Sequence, residues 1–320
     1  MVLAWDRPIR GDLKAVEEEV LRSIQSKEPL LTEISLHVIS SGGKRIRPGV
    51  GFLAFRSVGG TDIKTMVRLA SAFEIIHSAT LIHDDINDGG EARRGKISAY
   101  KKYGLQKALV AGDFLFVKGF QLGSLVQNET LINIVAEACA SMAESEILQA
   151  EHNREATTLE RYLRIIEGKT AKPIEASAMV GAFIGKGSGE QIDAMADYGL
   201  NIGYAFQIID DILDLDGDER ILGKPKGMDY MDGKATLPMM YAMESSGGGR
   251  MIELFAKESK TWDDAREFLN LIHQTNAIDR ARRHAEQFRN KAIAQLEHIA
   301  QSEFKDALIR LANAIIERKA

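Results

Sequence analysis

Two acidic triplets of identical spacing dominate the chemistry available to this chain. Asp84, Asp85 and Asp88 stand in HDDIND, and Asp210, Asp211 and Asp214 in IIDDILD. On a helix, residues four apart share a face one turn apart, so each triplet stacks two carboxylates. Like charges at that spacing repel. Oxygen donors alone favour a hard cation, and Mg²⁺ takes one or two carboxylates per ion together with substrate phosphates. A single acidic run is ordinarily a solvated face. Two copies, each behind an apolar helical stretch, instead describe two acidic walls holding a diphosphate through bridging metal ions.

Cations suited to that diphosphate recur along the chain. SGGKRIRP (41–48) sets Lys44, Arg45 and Arg47 in a glycine turn before Pro48, where a helix entry suits an anion. Arg93 and Arg94 follow the Gly89–Gly90 break and offer forked donors for diphosphate oxygens. Lys169 and Thr170 interrupt an apolar helical face, and residues 223–238 read as a loop carrying Lys224, Lys226 and Lys234.

The elements that must position these groups read as helices throughout. Residues 62–88 carry Phe73, His77, Thr80, Asp84 and Asp88 on one stripe, and 190–214 carry Gly203, Gln207, Asp210 and Asp214 on another. His77 lies two turns below Asp84 and within reach of a substrate, whereas His83 is off the stripe and structural. Two helices broken near Pro29 cover 11–41, and Asn128 is the N-cap dividing 104–127 from 129–155. Thr157 and Glu160 have the spacing of a capping box. Ile278, Ala281, Ala285, Phe288, Ala292 and Leu296 form a regular apolar face near the end. DLDGDER does not fit a calcium loop, because the required glycine falls at the wrong position. Strand alternation is absent, so the expectation is an all-α chain, one domain over 1–320, with long helices around a central cavity.

Composition narrows the class. A net charge of −5 argues against a nucleic-acid footprint, and the lone Cys139 excludes an intramolecular disulfide. The start, MVLAWDRPIR, lacks the apolar core of a signal peptide, and no apolar run approaches a membrane span. The expected location is the cytoplasm.

Taken together, GGKRIRP, HDDIND followed by RRG, GKT at 168–170, FQIIDDILD and GKATLP make the chain resemble the trans-isoprenyl diphosphate synthases, or polyprenyl synthetases, over nearly its whole length. The resemblance implies the type I isoprenoid synthase fold, a homodimer, and head-to-tail condensation of isopentenyl diphosphate with an allylic diphosphate. It implies Asp84, Asp88 and Asp210 as ligands of three Mg²⁺ ions bridged by the allylic diphosphate, with Asp85, Asp211 and Asp214 supporting. It also implies Lys169 and Lys234 as catalytic cations which, with Arg93, Gln207 and nearby Thr170, contact the allylic diphosphate. Lys44, Arg47, His77 and Arg94 match the isopentenyl diphosphate pocket, and Lys224 matches a lysine covering the allylic group. Many short-chain members carry an acid where this chain has Gln149.

In this family a bulky aromatic four or five residues before the first aspartate stops chain growth. Here those positions are Thr80 and Ala79, both small. Thr80 lies roughly 6 Å below Asp84, Ile76 about 12 Å and Phe73 about 16 Å. Ile76 and Phe73 are thus the next candidates for a floor, with Phe116 or Phe120 able to cap it sooner. The expected product exceeds C20, in the range C25 to C40, with geranylgeranyl or farnesyl diphosphate the alternative. Rival readings are a type I terpene cyclase, which needs no second diphosphate pocket, a non-catalytic synthase subunit, and a plain metal-binding helical protein.

Overall fold

Apolar and small side chains line nearly the whole circumference of two long stretches of this chain, and a helix of that kind belongs in an interior. The computed structural model, which describes residues 5–93, 95–153, 157–222 and 225–318, places both there. In chain order the helices are α1 (Arg10–Ser23), α2 (Pro29–Ile39), α3 (Ile46–Ser57), α4 (Ile63–Asn87), α5 (Ala99–Tyr103), α6 (Leu105–Ser124), α7 (Glu129–Glu151) and α8 (Leu159–Ile166). They continue as α9 (Lys172–Ile184), α10 (Gly189–Asp216), α11 (Glu219–Leu222), α12 (Met228–Asp232), α13 (Leu237–Met243), α14 (Gly249–Phe255), α15 (Trp262–Ile272), α16 (Ala277–Gln295) and α17 (Glu303–Ile316).

The two interior helices are α4 and α10. α4 buries Met66, Ile75 and Ile82 in the main core beside α1, α3 and α6, and Leu69, Phe73 and Ile76 against residues of α7 and α9. α10 buries Met195, Tyr198, Ile202, Ile208, Ile209 and Ile212 against α9 and α16. Each large apolar side chain so buried contributes about 1.5–3 kcal/mol. Their starts are fixed by caps. Asp62 accepts from the Thr65 N–H at 3.2 Å, and Ser188 with Gln191 forms a reciprocal capping box.

Both acidic triplets fall at or near the C-terminal ends of these helices. A carboxylate there meets the negative end of the helix dipole, the unfavourable arrangement. The fold therefore stacks acid where helix physics opposes it.

Several local expectations change. The cap of α8 is Thr158, whose hydroxyl accepts from the Arg161 N–H at 3.2 Å, and not Thr157 one residue earlier. Residues within 223–238 are not simply a loop, since α12 forms there between Gly227 and Gly233, both left-handed. A short hairpin, β1 (Ala92–Arg93) with β2 (Lys96–Ile97), interrupts the all-α pattern. It is too short to leave an alternating signature in sequence. Asn128 does cap α7, accepting from the Leu131 N–H at 3.1 Å.

Candidate active site

The middle aspartate of each triplet is turned inward and tied down. Asp85 is buried and accepts from Arg93 Nε at 2.7 Å, across the Gly89–Gly90 turn. Burial outweighs the arginine and raises its carboxyl above the ordinary range. Asp211 is buried as well, accepting from the Tyr162 hydroxyl at 2.6 Å and from Gln207 Nε2 at 2.9 Å. Desolvation pushes Asp211 up to about 7 against the pull of those two donors. Asp214 is buried too, and accepts from the backbone N–H of Asp229 at 3.0 Å. Asp85, Asp211 and Asp214 thus anchor the walls.

The remaining three aspartates each face a cation. Asp88 accepts from Lys234 Nζ at 2.9 Å. Asp210 ion-pairs with Arg318 Nη1 at 2.7 Å, while the Arg318 guanidinium lies 4.9 Å over the Phe206 ring. Asp84 is raised to about 6 by desolvation, with Lys169 pulling it down and Glu146 and Asp88 pushing it up. Burial alone would lower the Lys234 ammonium, yet Asp88, Asp229 and Asp232 together hold it above its usual range. Lys234 thus joins the first acidic wall to the segment following the second.

Lys169 and Thr170 owe their position to a π-helical turn, Glu167–Ala171, between α8 and α9. Such bulges recur at functional sites because they re-aim side chains out of a regular helix. Two glycines permit it: a Cβ at Gly168 would overlap Ser145 and Ser141 of α7, and one at Gly203 would overlap Ala171. Lys169 Nζ then reaches Gln149 Oε1 at 2.7 Å and Glu146 at 2.5 Å, and Thr170 Oγ1 donates to Gln207 Oε1 at 2.7 Å. Lys169, Gln207, Asp211 and Lys234 all border a cavity of about 140 Å³.

The second basic group is assembled by fastenings on neighbouring residues. Arg45, left-handed before α3, pairs with Glu17 and Glu74, which straps the glycine turn to α4 one turn below His77. His37 meets the Ile97 carbonyl at 2.8 Å and Lys96 donates to the Ser40 carbonyl at 3.0 Å, holding the hairpin against the end of α2. Lys44, Arg47 and His77 are therefore carried by one connected region, although Arg93 itself is committed to Asp85. Arg94 and Lys224 lie outside the described residues.

Below Asp84, α4 separates two packing regions. Phe73 and Ile76 join Leu131, Val135, Ala138 and Val180 in a second apolar cluster, which Phe116 and Phe120 border. Ala79 is fully buried in the main core with Ile75 and Ile82, on a different side of α4 from Phe73 and Ile76. Its side of α4 faces packed helices. Thr80, one turn from Ile76, is half-buried and remains on the cluster side by spacing.

Sequence reading missed three residues. Arg318 lies 108 positions from its partner and carries no local signal. Glu146 was legible, standing one turn before Gln149. Tyr162 was legible too, two helical turns before Lys169.

These donor sets suit hard cations. Asp84, Asp88 and Asp210 offer only oxygen, and among the described residues no three metal-binding side chains converge on one point. Ions held here would need oxygen atoms from a ligand as well, as Mg²⁺ commonly does.

An all-α isoprenoid-synthase fold carrying two aspartate-rich helices and nearby lysines defines the class, a prenyl transferase. The chain belongs to the polyprenyl synthetase family, whose sequence profile matches residues 28–272. It is 32% identical over 310 residues to an octaprenyl diphosphate synthase of Haemophilus influenzae, covering 96% of this chain and 94% of that one. It is 34% identical to a geranyl-diphosphate-specific all-trans-nonaprenyl-diphosphate synthase of Rhodobacter capsulatus, over 97% of this chain and 96% of the other. Among solved structures, a polyprenyl synthase from Caulobacter crescentus superposes with a TM-score of 0.95 at 34% identity, covering 99% of this chain and 97% of its own. The family is generally magnesium-dependent. Among the described residues no helix is long and apolar enough to cross a membrane.

Proposed function

We propose that this chain, as one domain over residues 1–320, condenses isopentenyl diphosphate with an allylic diphosphate, head to tail and trans. The observation that carries this reading is the matching of each outward aspartate to a cation: Asp88 to Lys234, Asp210 to Arg318, and Asp84 to nearby Lys169. Such pairs stand in for a ligand that brings both charges. With a diphosphate and its ions bound, these carboxylates would hold the ions and the basic side chains would hold the phosphate oxygens. The C. crescentus structure, complexed with calcium and isoprenyl diphosphate, supports the same pairing of hard ion and diphosphate.

Three Mg²⁺ ions, held by Asp84, Asp88 and Asp210, would supply positive charge against the departing diphosphate. Lys169, Lys234 and Gln207 bind that diphosphate, with Thr170 orienting Gln207 and Arg93 fixing Asp85. Their preorganised charge stabilises the negative charge that grows as the allylic C–O bond breaks, usually the largest catalytic contribution. Lys44, Arg47, His77 and Arg94 hold isopentenyl diphosphate, whose double bond attacks the allylic carbon. A proton then leaves to the released diphosphate. Burial excludes water that would quench the cation.

The second apolar cluster receives the growing tail, past Thr80 towards Ile76 and Phe73. The small residue at Thr80 and the octaprenyl and nonaprenyl synthases among the relatives support a product longer than C20, C25 to C40. Leu105, Leu109 and Val117 of α6 are 57%, 46% and 65% exposed, an apolar surface that a second copy would cover in a homodimer. The cytoplasm is the proposed location.

The test withholds one substrate at a time from purified protein with Mg²⁺. Product that requires both diphosphates supports the reading; product from the allylic substrate alone would favour a cyclase, and no product under any combination a non-catalytic subunit.

A further inference from the structure

Tyr162 of α8 is 3% exposed, and its hydroxyl lies 2.6 Å from Asp211. The other Asp211 oxygen accepts from Gln207, whose carbonyl accepts in turn from Thr170. Three hydrogen bonds therefore run Tyr162 to Asp211, Gln207 to Asp211, and Thr170 to Gln207. They join α8, α10 and the π-helical turn that carries Lys169. Tyr162 and Thr170 belong to one continuous stretch of chain, with α10 clasped between them.

The clasp has a geometric consequence. Successive helical residues point roughly 100° apart. Pinning Asp211 inward therefore sets the direction of Asp210, which stays half-exposed towards Arg318. It also sets the distance between the wall bearing Asp210 and the turn bearing Lys169. Without Tyr162, Asp211 keeps only the Gln207 donor and becomes a buried carboxylate free to swing.

We propose that Tyr162 is a positioning residue for the ionisation step, acting through Asp211 to aim Asp210 and to hold Lys169 in register with it. This rests on the reading that Asp210 serves the metal ions of the site. The first wall has a counterpart in Arg93, which ties Asp85 in the same manner.

Tyr162→Phe keeps the ring and removes one hydrogen bond. Tyr198→Phe is the comparison, because Tyr198 is equally buried, on α10 itself, and donates to the Leu308 carbonyl at 2.8 Å, away from the site. Tyr162→Phe should lower kcat at least 30-fold with the KM for isopentenyl diphosphate within twofold of the parent. Its half-saturating Mg²⁺ concentration should rise about tenfold, and calorimetry with a non-ionising thio analogue of the allylic diphosphate should show the same weakening of Mg²⁺ binding. Tyr198→Phe should lower the melting temperature and leave kcat and Mg²⁺ dependence unchanged. The proposal is overturned if Tyr162→Phe keeps the parental kcat and Mg²⁺ dependence, or if the two variants lose stability and activity alike. Asp210→Ala separates the two levels: an active Asp210→Ala enzyme removes the site reading itself, whereas an inactive one beside a normal Tyr162→Phe removes only this inference.

Discussion

Lys234 Nζ and the Asp88 carboxylate stand 2.9 Å apart although 146 residues separate them in sequence. The pair joins the end of α4 to the segment beyond α10, and so ties the first acidic triplet to the stretch of chain that follows the second. Lys234→Ala should leave Asp88 without this partner and the allylic diphosphate without one of its cations. A charged hydrogen bond is worth about 1.5–3 kcal/mol, so kcat/KM for the allylic substrate should fall roughly 10- to 150-fold. A variant whose loss fell only on isopentenyl diphosphate would contradict this placement.

The two diphosphate pockets should separate kinetically. Arg47→Ala should raise the KM for isopentenyl diphosphate, while Lys169→Ala should act on the allylic substrate and on kcat, each by about 1.5–3 kcal/mol. Steady-state kinetics that assigned both losses to one substrate would refute the two-pocket arrangement.

Burial raises Asp84 to about 6, against about 3.9 for an unfolded aspartate. Between those values the folded protein binds the extra proton, so stability at this site falls as pH rises through the window. Below about 4 the site costs nothing, and above about 7 it costs roughly 2–3 kcal/mol. Without Mg²⁺, Asp84→Asn should therefore melt higher than the parent at alkaline pH and equally at acidic pH. A constant difference across the range would show that ionisation of Asp84 is not the cause.

Product length should follow the second cluster. Thr80→Phe should shorten the product and Phe73→Ala lengthen it, read by mass spectrometry. Ala79→Phe should instead destabilise the fold by about 1–3 kcal/mol through overpacking. Shortening by Ala79→Phe in a fully stable enzyme would place the tail on the other side of α4.

Much of this was legible in the sequence because helical spacing carries it. The stripe from Phe73 to Asp88 and the Asn128 cap depend on local periodicity and capping chemistry alone. Other features depend on contacts between distant segments. Ala79 and Thr80 are neighbours of similar size, and only the packing of α4 tells them apart. The π-helical turn at Lys169 needs Gly168 against α7 and Gly203 against Ala171, two approaches that no single stretch displays. Arg318 meets Asp210 only because α17 brings the chain end back across the site.

The most direct test of two walls sharing one diphosphate is the turnover of Asp84→Ala and Asp210→Ala, each purified and shown by circular dichroism to keep its helices. Both should lose several orders of magnitude in kcat, since electrostatic stabilisation of the leaving group is the largest contribution the site makes. Near-parental turnover by either variant would mean that its wall does not serve the reaction.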